Sequence, residues 1–236
     1  MKMPNELEPT NPFGGAVDLV DADALGKALE ETQDEGGRLG DVSFMSFSGK
    51  RGIYSIGIEK RTPNEGEKWL INIAGFELGW MCWKGGQPQA KRMANVTAPR
   101  IPEPDMTEFG PFDQNKGEGW SRARAVSCRS FENGEQVYFS NNSKSGVAGM
   151  SDLQKAVTGR LKSGQPAWPV VTFGIEEFES QGFKNFKPVF EVVQWLDMDD
   201  VKKLSEEGTD PQAVLDEAGS GQDEGPAPEP QPRRRL

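Results

Sequence analysis

Apolar and polar positions alternate with a period of two through most of the middle of the chain. Val42-Ser43-Phe44-Met45-Ser46-Phe47 sets large apolar side chains between small polar ones, and Gly49-Lys50-Arg51-Gly52 then leads into a second such run, residues 53–58. Side chains of a strand point alternately to its two faces, so these runs read as half-buried strands joined in a hairpin by a basic, glycine-bounded turn. The pattern resumes at residues 69–73 and 76–83, closed by Lys84-Gly85-Gly86, and again at 120–131 and 136–140, where Asn133-Gly134 predicts a type I′ turn. Residues 169–178 and 186–195 complete the set, joined by Glu179-Ser180-Gln181-Gly182-Phe183-Lys184-Asn185.

One segment follows a different period. Met150, Leu153, Val157 and Leu161 recur at helical spacing, with Ser151 and Asp152 as caps and Gly164 and Pro166 as the stop. A shorter helix is predicted over residues 198–206. Residues 61–67 form one loop and residues 101–119 a longer one, the latter with three prolines and five acidic residues. A loop of that length in a compact domain is usually functional or disordered. About eight short strands and one late helix predict a mainly β fold, an OB-like antiparallel β-barrel of the oligonucleotide/oligosaccharide-binding type.

Charge divides the chain differently from hydropathy. The net charge of −10 resolves into −6 on residues 1–40, +2 on residues 41–195 and −6 on residues 196–236. The expected organisation is therefore a flexible acidic N-terminal arm (1–40), the barrel domain (41–196) and an acidic, mostly disordered C-terminal tail (197–236). Partners depend on where charge lies, so the acidic total does not exclude nucleic acid as a ligand of the near-neutral middle.

There is no histidine, which removes the commonest general base and the usual nitrogen ligand of zinc. Cys82 and Cys128 are too far apart for a paired-cysteine metal site, and each lies in an apolar run, as reduced buried thiols do. Glu176-Glu177 with Glu179 is the nearest approach to a carboxylate cluster and reads as the exposed end of a strand. Phosphate-loop, nucleophile-elbow and dinucleotide fingerprints are missing. The expectation is a protein that is not an enzyme and uses neither cofactor nor metal. With no apolar run of the roughly 18 residues a membrane helix needs and no signal-peptide pattern, a soluble cytoplasmic location is expected.

Three groups of residues carry the candidate chemistry. Alternation puts Trp120, Arg122 and Arg124 on one face of a strand, cations beside a stacking surface, which is what sequence-independent binding of a single strand requires. Lys50, Arg51, Lys60, Arg61, Lys84, Lys91 and Arg92 lie at predicted turns, with Tyr54, Trp80 and Trp83 near enough to stack; Trp80 and Trp83 cannot share a face under simple alternation. Phe183 and Lys184 open an interleaved aromatic and basic segment that enters the last strand. Each group also has a plain structural reading, as ion-paired edge, solubilising turns and loop anchor respectively.

At Lys68-Trp69-Leu70-Ile71-Asn72, at Gly79-Trp80-Met81-Cys82-Trp83-Lys84-Gly85-Gly86, at Pro169-Val170-Val171-Thr172 and at residues 186–195, the chain resembles a bacteriophage single-stranded-DNA-binding-like protein family. The likeness covers roughly residues 40–195. It implies a phage protein of OB type that supports DNA replication or recombination, with an acidic tail that competes with DNA and recruits phage or host replication proteins. The ending Arg233-Arg234-Arg235-Leu236 departs from the acidic, aromatic-tipped ends of such tails. Homo-oligomerisation is left open. The alternative reading is a phage structural or protein-interaction β module that binds no nucleic acid; a third is an accessory nuclease using carboxylates and a divalent metal.

Overall fold

A computed structural model describes residues 38–39, 42–180, 182–205 and 209–220. The predicted N-terminal arm thus lies almost wholly outside the described residues, as does the tail beyond residue 220. The chain is mainly β: β1 (Arg38–Leu39), β2 (Val42–Ser48), β3 (Ile53–Ile56), β4 (Trp69–Ile71), β5 (Glu77–Lys84), β6 (Gln87–Asn95), β7 (Gly119–Ser130), β8 (Gln136–Asn141), β9 (Trp168–Ser180) and β10 (Phe183–Leu196). Among the described residues there are three α-helices: α1 (Lys144–Lys162) between β8 and β9, then α2 (Met198–Lys203), inside the shorter helix expected over residues 198–206, and α3 (Pro211–Ser220), which the sequence pattern does not announce. None is long and apolar enough to cross a membrane.

All ten strands join in one strongly curled sheet, a half-barrel with the order β1-β2-β8-β7-β4-β9-β10, β3 pairing on β2 and the β5–β6 hairpin on β7. The pairing is antiparallel except for β2 and β8, which run parallel from Val42↔Gln136 to Met45↔Phe139. The Phe186 N–H donates to the Gly49 carbonyl (2.8 Å), so the β2–β3 turn touches β10 across the open side of the half-barrel.

Two apolar clusters lie on opposite faces of the sheet, and β4 shows why its three residues are all apolar. Trp69 and Ile71 point into the main core with Met45, Phe47, Tyr54, Val126, Cys128, Phe139, Val171 and Phe190. Leu70 points the other way, against Trp168, Val170, Leu196, Val201 and Leu215. The second cluster is closed by α2 and α3, so the folded unit runs past the expected boundary at residue 196. Val201, Val214 and Leu215 are the buried side chains of those helices, and an Asp197–Asp200 capping box starts α2. Their apolar stripe is narrow and set among aspartates and glutamates, so composition alone reads it as solvated tail.

The first seven residues of α1 also run against sequence expectation. Ser143 caps the helix by accepting from the Gly146 N–H (3.0 Å), well before the predicted Ser151. Gly146 and Gly149 suggest loop, yet both are required by close packing. A Cβ at Gly146 would overlap the Asn141 side chain, and one at Gly149 would overlap the Pro188 carbonyl of β10. Helix α1 thereby seats Met150, Leu153 and Val157 in the main core. Pro188 itself is tolerated because β10 is the last strand of the sheet.

Two turns differ in detail. The β7–β8 connection is five residues rather than a two-residue type I′ turn, and Gly134 (φ 69°) is its left-handed residue while the Asn133 side chain accepts from the Glu135 N–H (2.8 Å). Strand β6 is absent from the sequence reading because Gln87-Pro88-Gln89 is polar and interrupted by proline. It pairs only with β5, at an edge where both features are allowed.

Candidate nucleic-acid interface

The N-terminal half of β7 leaves the core and forms a three-stranded platform with β5 and β6. Trp80 of β5 stands directly opposite Arg122 on one side and Arg92 of β6 on the other. Direct partners share a face, so alternation places Trp80, Arg92, Trp120, Arg122 and Arg124 together. The Arg122 guanidinium lies 5.3 Å from the Trp80 ring centroid, and that of Arg92 lies 4.9 Å from the Trp120 ring. Cations and indoles therefore alternate across the platform, at distances where the ring quadrupole attracts the charge. Val126 and Cys128 continue the same face into the main core, so the platform is the half-barrel's inner wall extended beyond its filling.

Among the described residues, neither Arg122 nor Arg124 has an ion-pair partner. Arg124 is half-buried opposite Leu78 and Asn141, and this desolvation lowers its affinity for the proton. Trp80 is almost covered, whereas Trp120 is partly exposed with the Phe109 ring 6.0 Å away.

The remaining expected site residues separate. Tyr54 is core: it is 3 % exposed, packs on Phe47, Phe139 and Phe173, and donates its hydroxyl to the Gly174 carbonyl (2.9 Å). Burial drives the phenol pKa upward, and no stacking surface remains. Arg61 is structural as well. It pairs with the fully buried Glu67 (3.1 Å) and with Glu135, and lies 6.0 Å from the Trp69 ring. Glu67 also accepts from Ser130 Oγ (2.8 Å) and from the Asn64 N–H (2.9 Å), which fastens the β3–β4 loop to the end of β7.

Lys84 donates through Nζ to the carbonyls of Phe109 (2.8 Å) and Gly110 (3.4 Å), holding the long loop rather than facing outward. Trp83 pairs with Gly119 and so takes the opposite face from Trp120, Arg122 and Arg124. Lys60 is exposed in the β3–β4 connection in a left-handed conformation (φ 54°), away from the platform strands.

Lys50 and Arg51 are exposed at the β2–β3 turn, which docks at Phe186; the Gly52 backbone presses on the Phe186 ring. The Lys184 ammonium stands 5.4 Å from that ring and pairs with Glu177 (2.6 Å). The turn and the last hairpin, separate groups in sequence, are thus brought together. Phe183, 72 % exposed, faces away from the core side at the tip of the β9–β10 arm, in register with the face of Phe178.

Arg92 is the platform residue that the sequence reading assigns to a turn, together with Lys91. Lys91 faces the other side of β6, where it meets Tyr138 and Glu77; burial lowers its pKa while Glu77 opposes that shift. A recognised β6 would have revealed this split, since neighbouring strand residues face opposite ways. Cys82 and Cys128 are both buried free thiols, and burial raises their pKa values. Glu176 and Glu177 are occupied by Lys187 (2.8 Å) and Lys184 across the arm, and among the described residues no three His, Cys, Asp or Glu side chains gather to hold a metal.

No family model matches the chain, and neither a curated protein nor a solved structure matches it.

Proposed function

We propose that the protein binds single-stranded DNA without regard to sequence, as an OB-type protein of a bacteriophage acting in DNA replication or recombination in the host cytoplasm. The observation that carries this reading is the platform: Arg122 and Arg124, without carboxylate partners among the described residues, beside the partly exposed Trp120. Guanidinium groups spaced along a strand contact successive phosphates, and an indole stacks with any base, so the pairing gives affinity without readout of sequence. Lys50 and Arg51, exposed at the β2–β3 turn, add positive charge at the end of the sheet where β7 begins. The resemblance of residues 40–195 to the phage family supports the same reading. No catalytic or metal role is assigned.

Tryptophan fluorescence tests it, by titrating the protein with an oligo-dT strand of about 30 bases and with a duplex of equal length at low and high salt. Quenching by the strand alone, weakened as salt rises, is the expected result. Silence toward both rejects the reading.

The second reading, a protein-interaction module, draws on the arm. Phe178 and Phe183 are exposed on one face of its tip, and exposed aromatic patches often meet protein partners. The oligo-dT titration separates the two, because a module of this kind binds no nucleic acid and stays silent toward strand and duplex alike.

A further inference from the structure

The long loop, residues 96–118, returns over the platform and occupies two of its groups, Arg92 and Trp120. Glu108 pairs with Arg92 at 2.7 Å, and the neighbouring Phe109 lies against Trp120. Lys84 grips the Phe109 and Gly110 carbonyls, while Glu118 accepts from the Gly85 N–H (2.8 Å) and the Asp113 N–H (2.9 Å). Each of these contacts joins the loop to the β5–β6 hairpin or to the start of β7, or braces the loop's own base.

We propose that this loop is a gate, in which Glu108 occupies Arg92 as a surrogate phosphate and a backbone phosphate of the entering strand displaces it, uncovering Trp120 for a base. The inference rests on the single-stranded-DNA reading and adds the regulation of that site. Carboxylate and phosphate offer a guanidinium the same charged oxygen acceptors, so the exchange conserves the ion pair of Arg92.

The closed arrangement is held weakly and carries its own costs. The side chains of the Arg92–Glu108 pair are 41 % and 34 % exposed, where ion pairs contribute little. Val96, Met106 and Phe109 leave much of their apolar surface in water, whereas Pro104 is buried and Ile101 and Phe112 are partly so, which leaves the loop a thin apolar anchorage. Phe109 adopts a left-handed backbone (φ 70°), unfavourable for an aromatic residue. The Trp120 indole N–H is shielded and has no acceptor among the described residues, a penalty that opening removes. A segment with these properties opens more readily than the sheet beneath it.

The full chain provides the test, with anisotropy of a labelled oligo-dT strand as the readout. Glu108→Gln is compared with Glu103→Gln, an equal charge change at an exposed position of the same loop, and both are repeated with Arg92→Ala. Glu108→Gln should tighten binding about two- to fivefold, the range that an exposed ion pair can withhold. Glu103→Gln should do less, and the difference should vanish in the Arg92→Ala background. Equal effects of the two substitutions, or an effect that survives Arg92→Ala, would overturn the gate while wild-type binding upheld the function. If neither wild type nor Glu108→Gln binds at low salt, the DNA reading fails and the gate fails with it.

Discussion

Trp80 and Arg122 are direct cross-strand partners on β5 and β7, and the guanidinium lies over the indole at 5.3 Å. The contact holds the Arg122 guanidinium beside Trp80 on the platform, and no carboxylate among the described residues claims its N–H donors, which are free to meet a phosphate. Arg122→Ala with Arg124→Ala should therefore weaken single-strand binding. It should also reduce the slope of log affinity against log salt by about 1.4, two phosphates at about 0.7 each. An unchanged slope measured over a salt series would exclude both arginines from phosphate contact.

Tyr54 makes the opposite prediction. Tyr54→Phe removes the hydroxyl that serves the Gly174 carbonyl and should lower stability by about 1–2 kcal/mol in urea unfolding. Affinity for the strand should not change. A loss of binding at full stability would return Tyr54 to the site.

Arg61→Ala leaves Glu67, a buried carboxylate, without its cation. Breaking a fully buried pair costs about 3–5 kcal/mol; here about 2–3 kcal/mol is expected, because a third of the Arg61 side chain reaches water and Ser130 and Asn64 still donate to Glu67. Urea midpoints of the variant and wild type check the figure. Lys60→Ala, at an exposed neighbour, should be nearly silent in the same measurement.

The end of the folded unit is testable by truncation. Removal of residues 197–236 uncovers Leu70, Trp168, Val170 and Leu196, and should reduce stability sharply, while Leu215→Ala alone should cost about 2–5 kcal/mol. Removal of residues 221–236 spares the cluster and should leave the unfolding midpoint in place. Equal stability of the two truncations would show that α2 and α3 contribute nothing.

Glu118 gives the loop a pH dependence. The Asp113 and Gly85 N–H groups hold its carboxyl pKa below the usual 4.5. A depressed carboxylate pKa contributes stability that is present above the ordinary value and is lost as pH falls through the lowered one. Exchange of the Gly85 and Asp113 amide protons, referred to each residue's intrinsic rate, should therefore lose protection below about pH 4.5 and be insensitive to pH above it. Glu118→Gln should abolish that acid-dependent step.

Strand alternation alone located Trp120, Arg122 and Arg124 on a common face, because β7 is long and regular. Arg92 and Trp80 could not be joined to them without the register of β5 against two neighbours, which depends on contacts distant in sequence. Tyr54 was misplaced for a related reason: its acceptor at Gly174 is 120 residues away, so nothing local distinguishes a satisfied core hydroxyl from an exposed ring. The early turns of α1 were hidden because Gly146 and Gly149 are selected by proximity to Asn141 and Pro188 rather than by helix propensity. By contrast, the β2–β3 hairpin and the C-terminal stop of α1 are encoded locally, by the Gly49–Gly52 turn and by Gly164 at φ 67°, and both were legible.

The parallel pairing of β2 with β8 also imposes an order on synthesis. The β2–β3 hairpin can form as soon as its turn has emerged, but the Phe47 carbonyl meets the Asn141 amide only after 94 further residues. Until then one edge of an apolar hairpin stays open to water and to neighbouring chains, the kind of exposure that favours association during folding. Closure of that long loop should therefore limit the folding rate more than formation of any single hairpin, which makes β2, among the earliest strands synthesised, one of the last to be fully paired.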